Sequence, residues 1–188
     1  MAALSPRSAI RQAGNQNLSP TRESLLLVTL VTALVYVAII FLSVRPYHGN
    51  LSTLIHAGQR EVKADPSGLG HHIVVYRDIS YDGLSYYYVA GDPFLQRRAY
   101  RDAFRYQRIG YPLVVWAVSL GRRAWRSASM VGVNLAAVLC VAYLSGLIIR
   151  DVSERKTSVW WALACAINPM LIIGVQYDLG EPLMVALS

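Results

Sequence analysis

The run SLLLVTLVTALVYVAIIFLSV, residues 24–44, contains no Asp, Glu, Lys or Arg. At 1.5 Å per helical residue it reaches about 30 Å, the thickness of a bilayer's hydrocarbon core. It is longer than the apolar part of a secretory leader, and Arg45-Pro46-Tyr47 after it offers no small-residue cleavage site. It therefore reads as a retained anchor. Two further runs pass the same length test, residues 127–149 and 157–175, and both are equally free of charge. A fourth opens at Pro182 and reaches only Ser188, so the sequence reads as stopping inside a membrane segment.

The composition agrees with this reading. Of 188 residues, 54% are hydrophobic and 15% charged, against about a quarter charged in an ordinary soluble domain. Disorder is excluded, and a cytosolic domain is a poor fit. The fold expected is all-α: a polytopic transmembrane helical protein with a long first external loop, residues 45–126, containing juxtamembrane amphipathic helices. Residues 1–23 are polar, with Pro6, Pro20 and three Arg, and read as a flexible cytoplasmic tail. Cys140 and Cys165 fall inside spans, where packing is their expected role.

The loop carries 12 of the 18 basic residues against six acidic ones. Loops longer than about 60 residues largely escape the positive-inside rule, so this charge does not force the loop into the cytoplasm. Within residues 94–108, Arg97, Arg101, Arg105 and Arg108 recur at helical spacing opposite Leu95, Ala99, Ala103 and Tyr106. That pattern predicts a basic amphipathic helix in the headgroup layer; a solvated basic face without a ligand is the alternative. The expected partner of this charge is membrane lipid, with no nucleic acid. Residues 109–120 are apolar but short for a span, and suit a juxtamembrane or re-entrant helix.

Whether residues 109–120 cross decides the topology. If they do not, the loop is external and the tail joins Arg150, Arg155 and Lys156 on the cytoplasmic face. If they do, those three basic residues become external. Charge and length favour the first arrangement. It places Asp78, Asp82, Asp178 and Glu181 on one outer surface, where a single site can collect them.

Two stretches carry candidate chemistry. Asp78 and Asp82 lie among five tyrosines, and Gly83 after Asp82 allows a tight turn that presents a carboxylate as base or metal ligand. The competing reading is an Asp-Gly turn within an interfacial aromatic belt. In Gln176-Tyr177-Asp178-Leu179-Gly180-Glu181-Pro182, two carboxylates stand three residues apart at a helix start; helix capping is the alternative. His48, His56, His71 and His72 show no metal-ligand spacing and read as exposed loop histidines. Asn168-Pro169 predicts a kink in the third run, and Asn134 reads as glue between helices.

Taken with the first span and the long loop, Tyr81-Asp82-Gly83, Arg105-Tyr106-Gln107-Arg108-Ile109-Gly110-Tyr111-Pro112-Leu113, the Asn134 span and Asp178-Leu179-Gly180-Glu181-Pro182-Leu183 resemble the bacterial branch of the GT-C membrane glycosyltransferases. Wider relatives of that branch include the mannosyltransferases of lipid-anchor synthesis, the aminoarabinose-transferase type and the oligosaccharyltransferase catalytic subunits. The resemblance covers residues 24–188 on short, degenerate motifs. It implies transfer of a sugar from a polyprenyl-phosphate donor to an acceptor at the external leaflet, in the bacterial inner membrane. It implies Asp82, Asp178 and Glu181 as catalytic, with Asp82 and Asp178 available to a divalent metal, Mg or Mn. Arg105, Arg108, Tyr81 and Asp78 would bind substrate, the two Arg taking the leaving phosphate through their planar forks. Two features depart from the family. Gly83 stands where a paired acidic residue is usual, and three spans with a stub stand where the family has eight or more, so the chain reads as an amino-terminal fragment. The competing class is a non-catalytic small membrane subunit or assembly protein whose basic loop binds headgroups.

Overall fold

The two longest charge-free runs become the two longest helices. A computed structural model describes residues 22–64, 69, 73–94, 109–153 and 159–188. The amino-terminal tail up to residue 21, His71-His72, Arg97 to Arg108 of the expected basic helix, and Arg155-Lys156 lie outside the described residues.

Helix α1 (Arg22–Val44) ends where Pro46 withdraws a backbone donor, in a 3-10 turn that passes into left-handed His48 and Gly49. It presents Leu25, Val28, Thr32 and Tyr36 inward, a stripe at spacings of three and four. Its opposite face exposes Leu26, Leu30, Leu34 and Phe41. Both α1 and the later α5 (Arg123–Val152) are long and apolar enough to cross a membrane. With 30 residues α5 outruns its uncharged segment at both ends, and its length of about 45 Å matches a bilayer with its headgroups.

These two helices run antiparallel. Leu25 near the start of α1 lies over Gly146 near the end of α5, where a Cβ would come 2.7 Å from the leucine methyl. Val44 at the far end of α1 packs with Val131 near the start of α5. Glycine at the crossing lets the helices approach closely. Cys140 and Cys165, expected to pack, are instead exposed on the outside of the bundle.

Between α1 and α5 lie a 3-10 turn (Leu51–Ile55), β1 (Ala57–Gly58), α2 (Gln59–Ala64), β2 (Val75–Tyr76), α3 (Asp82–Val89) and α4 (Gly110–Val118). Among the described residues the chain is thus mostly helical, with one two-residue parallel pairing of β1 with β2. Helix α4 spans nine residues, about 14 Å, half a hydrocarbon core. The tyrosines weighed as an interfacial belt prove otherwise in part: Tyr86, Tyr87 and Tyr88 are buried with Ile55, Leu84, Tyr111 and Met130. Arg126 is buried as well, donating to the Tyr87 carbonyl at 3.3 Å with its guanidinium 4.6 Å from the Tyr87 ring centre.

The third run does not form one continuous helix. It breaks into α6 (Trp161–Ala166) and α7 (Pro169–Gln176), so the expected kink is a full interruption. Asn168 adopts an extended backbone; its Oδ1 accepts from Leu171 N–H at 3.0 Å and its Nδ2 donates to the Cys165 carbonyl at 2.7 Å. The freed carbonyl of Ala166 accepts from the Tyr36 hydroxyl at 2.7 Å. Side-chain donors therefore replace the helix bonds that Pro169 removes. The two pieces still travel along the bundle: Ala162 packs with Leu25 at one end, and Leu171 and Val175 pack with Tyr36 further along. A tight turn then leads to α8 (Glu181–Leu187), which packs on α5 and α7.

Candidate functional site

The short strands decide where the site lies. Left-handed His56 ends the 3-10 turn and sends the chain into β1, which pairs with β2 in the register Ala57 to Val75 and Gly58 to Tyr76. Because the pairing is parallel, Arg60 and Arg77 leave it at the same end. Gly58 is obligatory here, since a Cβ would strike the backbone of Asp78 and Ser80. Its N–H donates to Ser80 Oγ at 2.6 Å, and that hydroxyl donates to Glu61 Oε2 at 2.9 Å. These bonds hold the Asp78 to Ser80 segment against the start of α2.

The result is an open cleft of about 880 Å³ lined by His56, Arg60, Arg77, Asp78, Tyr81 and Tyr177, among others. Its wall is aromatic. Tyr81 and Tyr177 stack at 4.3 Å between ring centres, His56 meets both edge-on, and Tyr76 stacks behind His56 at 4.2 Å. Burial pushes the His56 imidazole below its ordinary value, with the nearby Asp78 carboxylate acting in the opposite sense. His56 is therefore a half-buried member of a built wall, not the exposed loop histidine expected.

The two acidic segments meet beside this cleft. Gly83, directly after Asp82, lies so close to the Tyr177 and Ile55 carbonyls that a Cβ would collide with them. Asp82 is half-buried as the first residue of α3, between Tyr81 in the cleft wall and Gly83. Glu181 is half-buried as the first residue of α8. Both carboxylates thus sit at helix starts, where the dipole favours negative charge.

Asp178 behaves differently. Expected to face a shared outer site, it is fully buried and does not line the cleft. Its backbone is left-handed, with φ 48°, and its Oδ1 receives Asn134 Nδ2 at 3.4 Å. The same nitrogen donates to the Tyr111 hydroxyl at 3.0 Å, and that hydroxyl donates to the Met130 carbonyl at 3.3 Å. Burial raises the Asp178 carboxyl well above its ordinary value, with the Asn134 hydrogen bond opposing. Its geometry is that of a structural tie between the α7–α8 turn, α5 and α4.

Of the substrate-binding residues expected, Tyr81 and Asp78 line the cleft, while Arg105 and Arg108 lie outside the described residues. Sequence alone does not mark His56, Arg60 and Arg77 as ligands, because what unites them is a two-residue parallel pairing too short to leave a pattern, and Tyr177 reaches the cleft from the α7–α8 turn. Among the described residues no group of three or more His, Cys, Asp or Glu side chains is arranged to hold a metal ion. No family model, curated protein or solved structure matches the chain.

Proposed function

We propose that the chain belongs to an integral-membrane glycosyltransferase of the GT-C kind, embedded in a bacterial plasma membrane. It moves a sugar from a polyprenyl-phosphate donor to an acceptor at the external leaflet. The observation that carries this reading is the contact of Gly83 with the Tyr177 backbone. Two acidic segments, widely separated in sequence, come together at one end of the α1–α5 pair. In this reading the opposite end, where α1 begins at Arg22 and α5 carries Arg150, faces the cytoplasm. The exposed apolar face of α1 suits lipid.

In this reading Asp82 takes the proton of the acceptor hydroxyl as its oxygen bonds to the anomeric carbon. The bond from that carbon to the donor phosphate breaks through an oxocarbenium-like state, and the phosphate leaves with the bonding pair. Glu181 lends negative charge near the same end. Asp178 positions the turn that carries Tyr177. The Mg or Mn that the resemblance allows would rest on Asp82 and Asp178; with Asp178 turned inward, these donors do not fit such an ion, and no step passes through it.

The test is transfer from a radiolabelled polyprenyl-phosphate sugar by the complete gene product at matched expression. Asp82→Asn lowers the rate by about 10² to 10⁴, whereas Asp78→Asn retains it within about tenfold. Wild-type turnover by Asp82→Asn sinks the assignment.

A further inference from the structure

Arg105 and Arg108, which the resemblance implies for the leaving phosphate, lie outside the described residues. The cleft offers a pair that the fold itself brings together. Arg60 follows β1 by two residues and Arg77 follows β2 by one, and the parallel register delivers both to one cavity. Gly58 and Ser80 fix that register, so the two guanidinium groups start from a rigid base.

We infer that this cleft is a sugar-phosphate site, with Arg60 and Arg77 holding the phosphate and the Tyr81–Tyr177 wall carrying the sugar. Guanidinium groups match phosphate oxygens in bidentate geometry, and two of them offset its charge. Tyr81 and Tyr177 already cover each other's inner faces, so they cannot sandwich a nucleobase. Their outer face and edges form an apolar ledge suited to the C–H face of a sugar ring. Asp78, exposed on the same cavity, accepts hydrogen bonds from the hydroxyls of that sugar. His56 is a positioning residue: it packs behind both tyrosines and sets the angle of the ledge.

This proposal deepens the transferase reading and rests on it for the role of the sugar, while the binding chemistry follows from the cleft. The headgroup of a lipid donor and a free sugar phosphate share that chemistry. The experiment is direct binding to the purified full chain in detergent, using glucose 1-phosphate, inorganic phosphate and farnesyl phosphoryl glucose as separate probes. Glucose 1-phosphate should bind more tightly than inorganic phosphate. Arg60→Gln and Arg77→Gln should each weaken it about tenfold or more, as expected for loss of a charged hydrogen bond. Arg60→Lys and Arg77→Lys should recover part of the loss, and Tyr177→Leu should weaken the sugar probes but not inorganic phosphate.

Farnesyl phosphoryl glucose binding at least a hundredfold tighter than the free sugar phosphate identifies a lipid headgroup site; equal affinities identify a soluble ligand. Thermal transitions matching wild type show that each variant is folded. Unchanged glucose 1-phosphate binding in a folded Arg60→Gln/Arg77→Gln double variant, or no binding by the wild type, overturns the proposal. Binding should persist in Asp82→Asn. Loss of transfer there with the cleft intact separates the fate of this site from that of the catalytic assignment.

Discussion

Gly83 lies against the carbonyl of Tyr177, joining the start of α3 to the turn between α7 and α8. No side chain fits between two backbones at that distance, so even a methyl group must move one of them. Gly83→Ala should therefore destabilise the chain by about 1 to 3 kcal/mol, the usual cost of overpacking. It should also disturb the Tyr81–Tyr177 stack. Thermal unfolding in detergent, with tyrosine near-ultraviolet circular dichroism as the local probe, measures both. An unchanged transition and spectrum would mean that the two segments are not in contact.

The same contact carries a topological consequence. Ile79 is 77% exposed beside the cleft, and Val152 is 83% exposed at the end of α5 near Arg150. If α5 crosses the membrane, these positions lie on opposite sides. In a background lacking Cys140 and Cys165, Ile79→Cys should react with an impermeant thiol reagent in intact cells. Val152→Cys should react only after permeabilisation. Reaction of both in intact cells would contradict the arrangement.

Much of this scaffold is legible in the sequence, since an uncharged run of 21 or 23 residues leaves few alternatives to a long apolar helix. Helices α1 and α5 follow that rule, and Asn168-Pro169 announces its break. What the sequence conceals is lateral. Nothing in the spacing of His56, Arg60 and Arg77 brings them together, because their meeting depends on Ala57–Gly58 finding Val75–Tyr76 across an intervening helix. The inward turn of Asp178 is hidden for a related reason. An Asp beside a helix start reads as a cap, and only the partners on α4 and α5 show that it faces the interior.

His56 makes the cleft sensitive to acid. Burial lowers the proton affinity of its imidazole in the fold, and the unfolded chain takes up a proton near the ordinary value of 6.5. The unfolded state then binds more protons below about pH 6.5, so stability must fall as pH drops through that window. The Asp78 carboxylate moderates the effect without reversing it. Chemical unfolding of the wild type at pH 8 and pH 5, set beside His56→Gln, measures the slope. Identical losses of stability in both proteins would remove His56 as the source.

Asp178 has the opposite sign, and its variants separate a structural role from a reacting one. Its folded-state carboxyl is raised above the ordinary value of 3.8, first by burial. The folded state therefore holds the proton more tightly, and the stabilisation is lost as pH rises above about 4 through the raised value. Asp178→Asn keeps the shape, removes the titrating group and suits the left-handed backbone at φ 48°, a conformation in which Asn is enriched. It should cost no more than about 1 kcal/mol near neutral pH and abolish this part of the pH dependence. Asn134→Leu is the harsher change, because Asp178 Oδ1 and the Tyr111 hydroxyl lose the donor that ties them together. That loss should cost about 1 to 3 kcal/mol, the penalty for stranding buried polar groups. Denaturant titrations of both variants at pH 5 and pH 8 decide the order. If Asp178→Asn unfolded more readily than Asn134→Leu at both values, the buried carboxyl would not be the structural tie described, and a charged role for Asp178 would return.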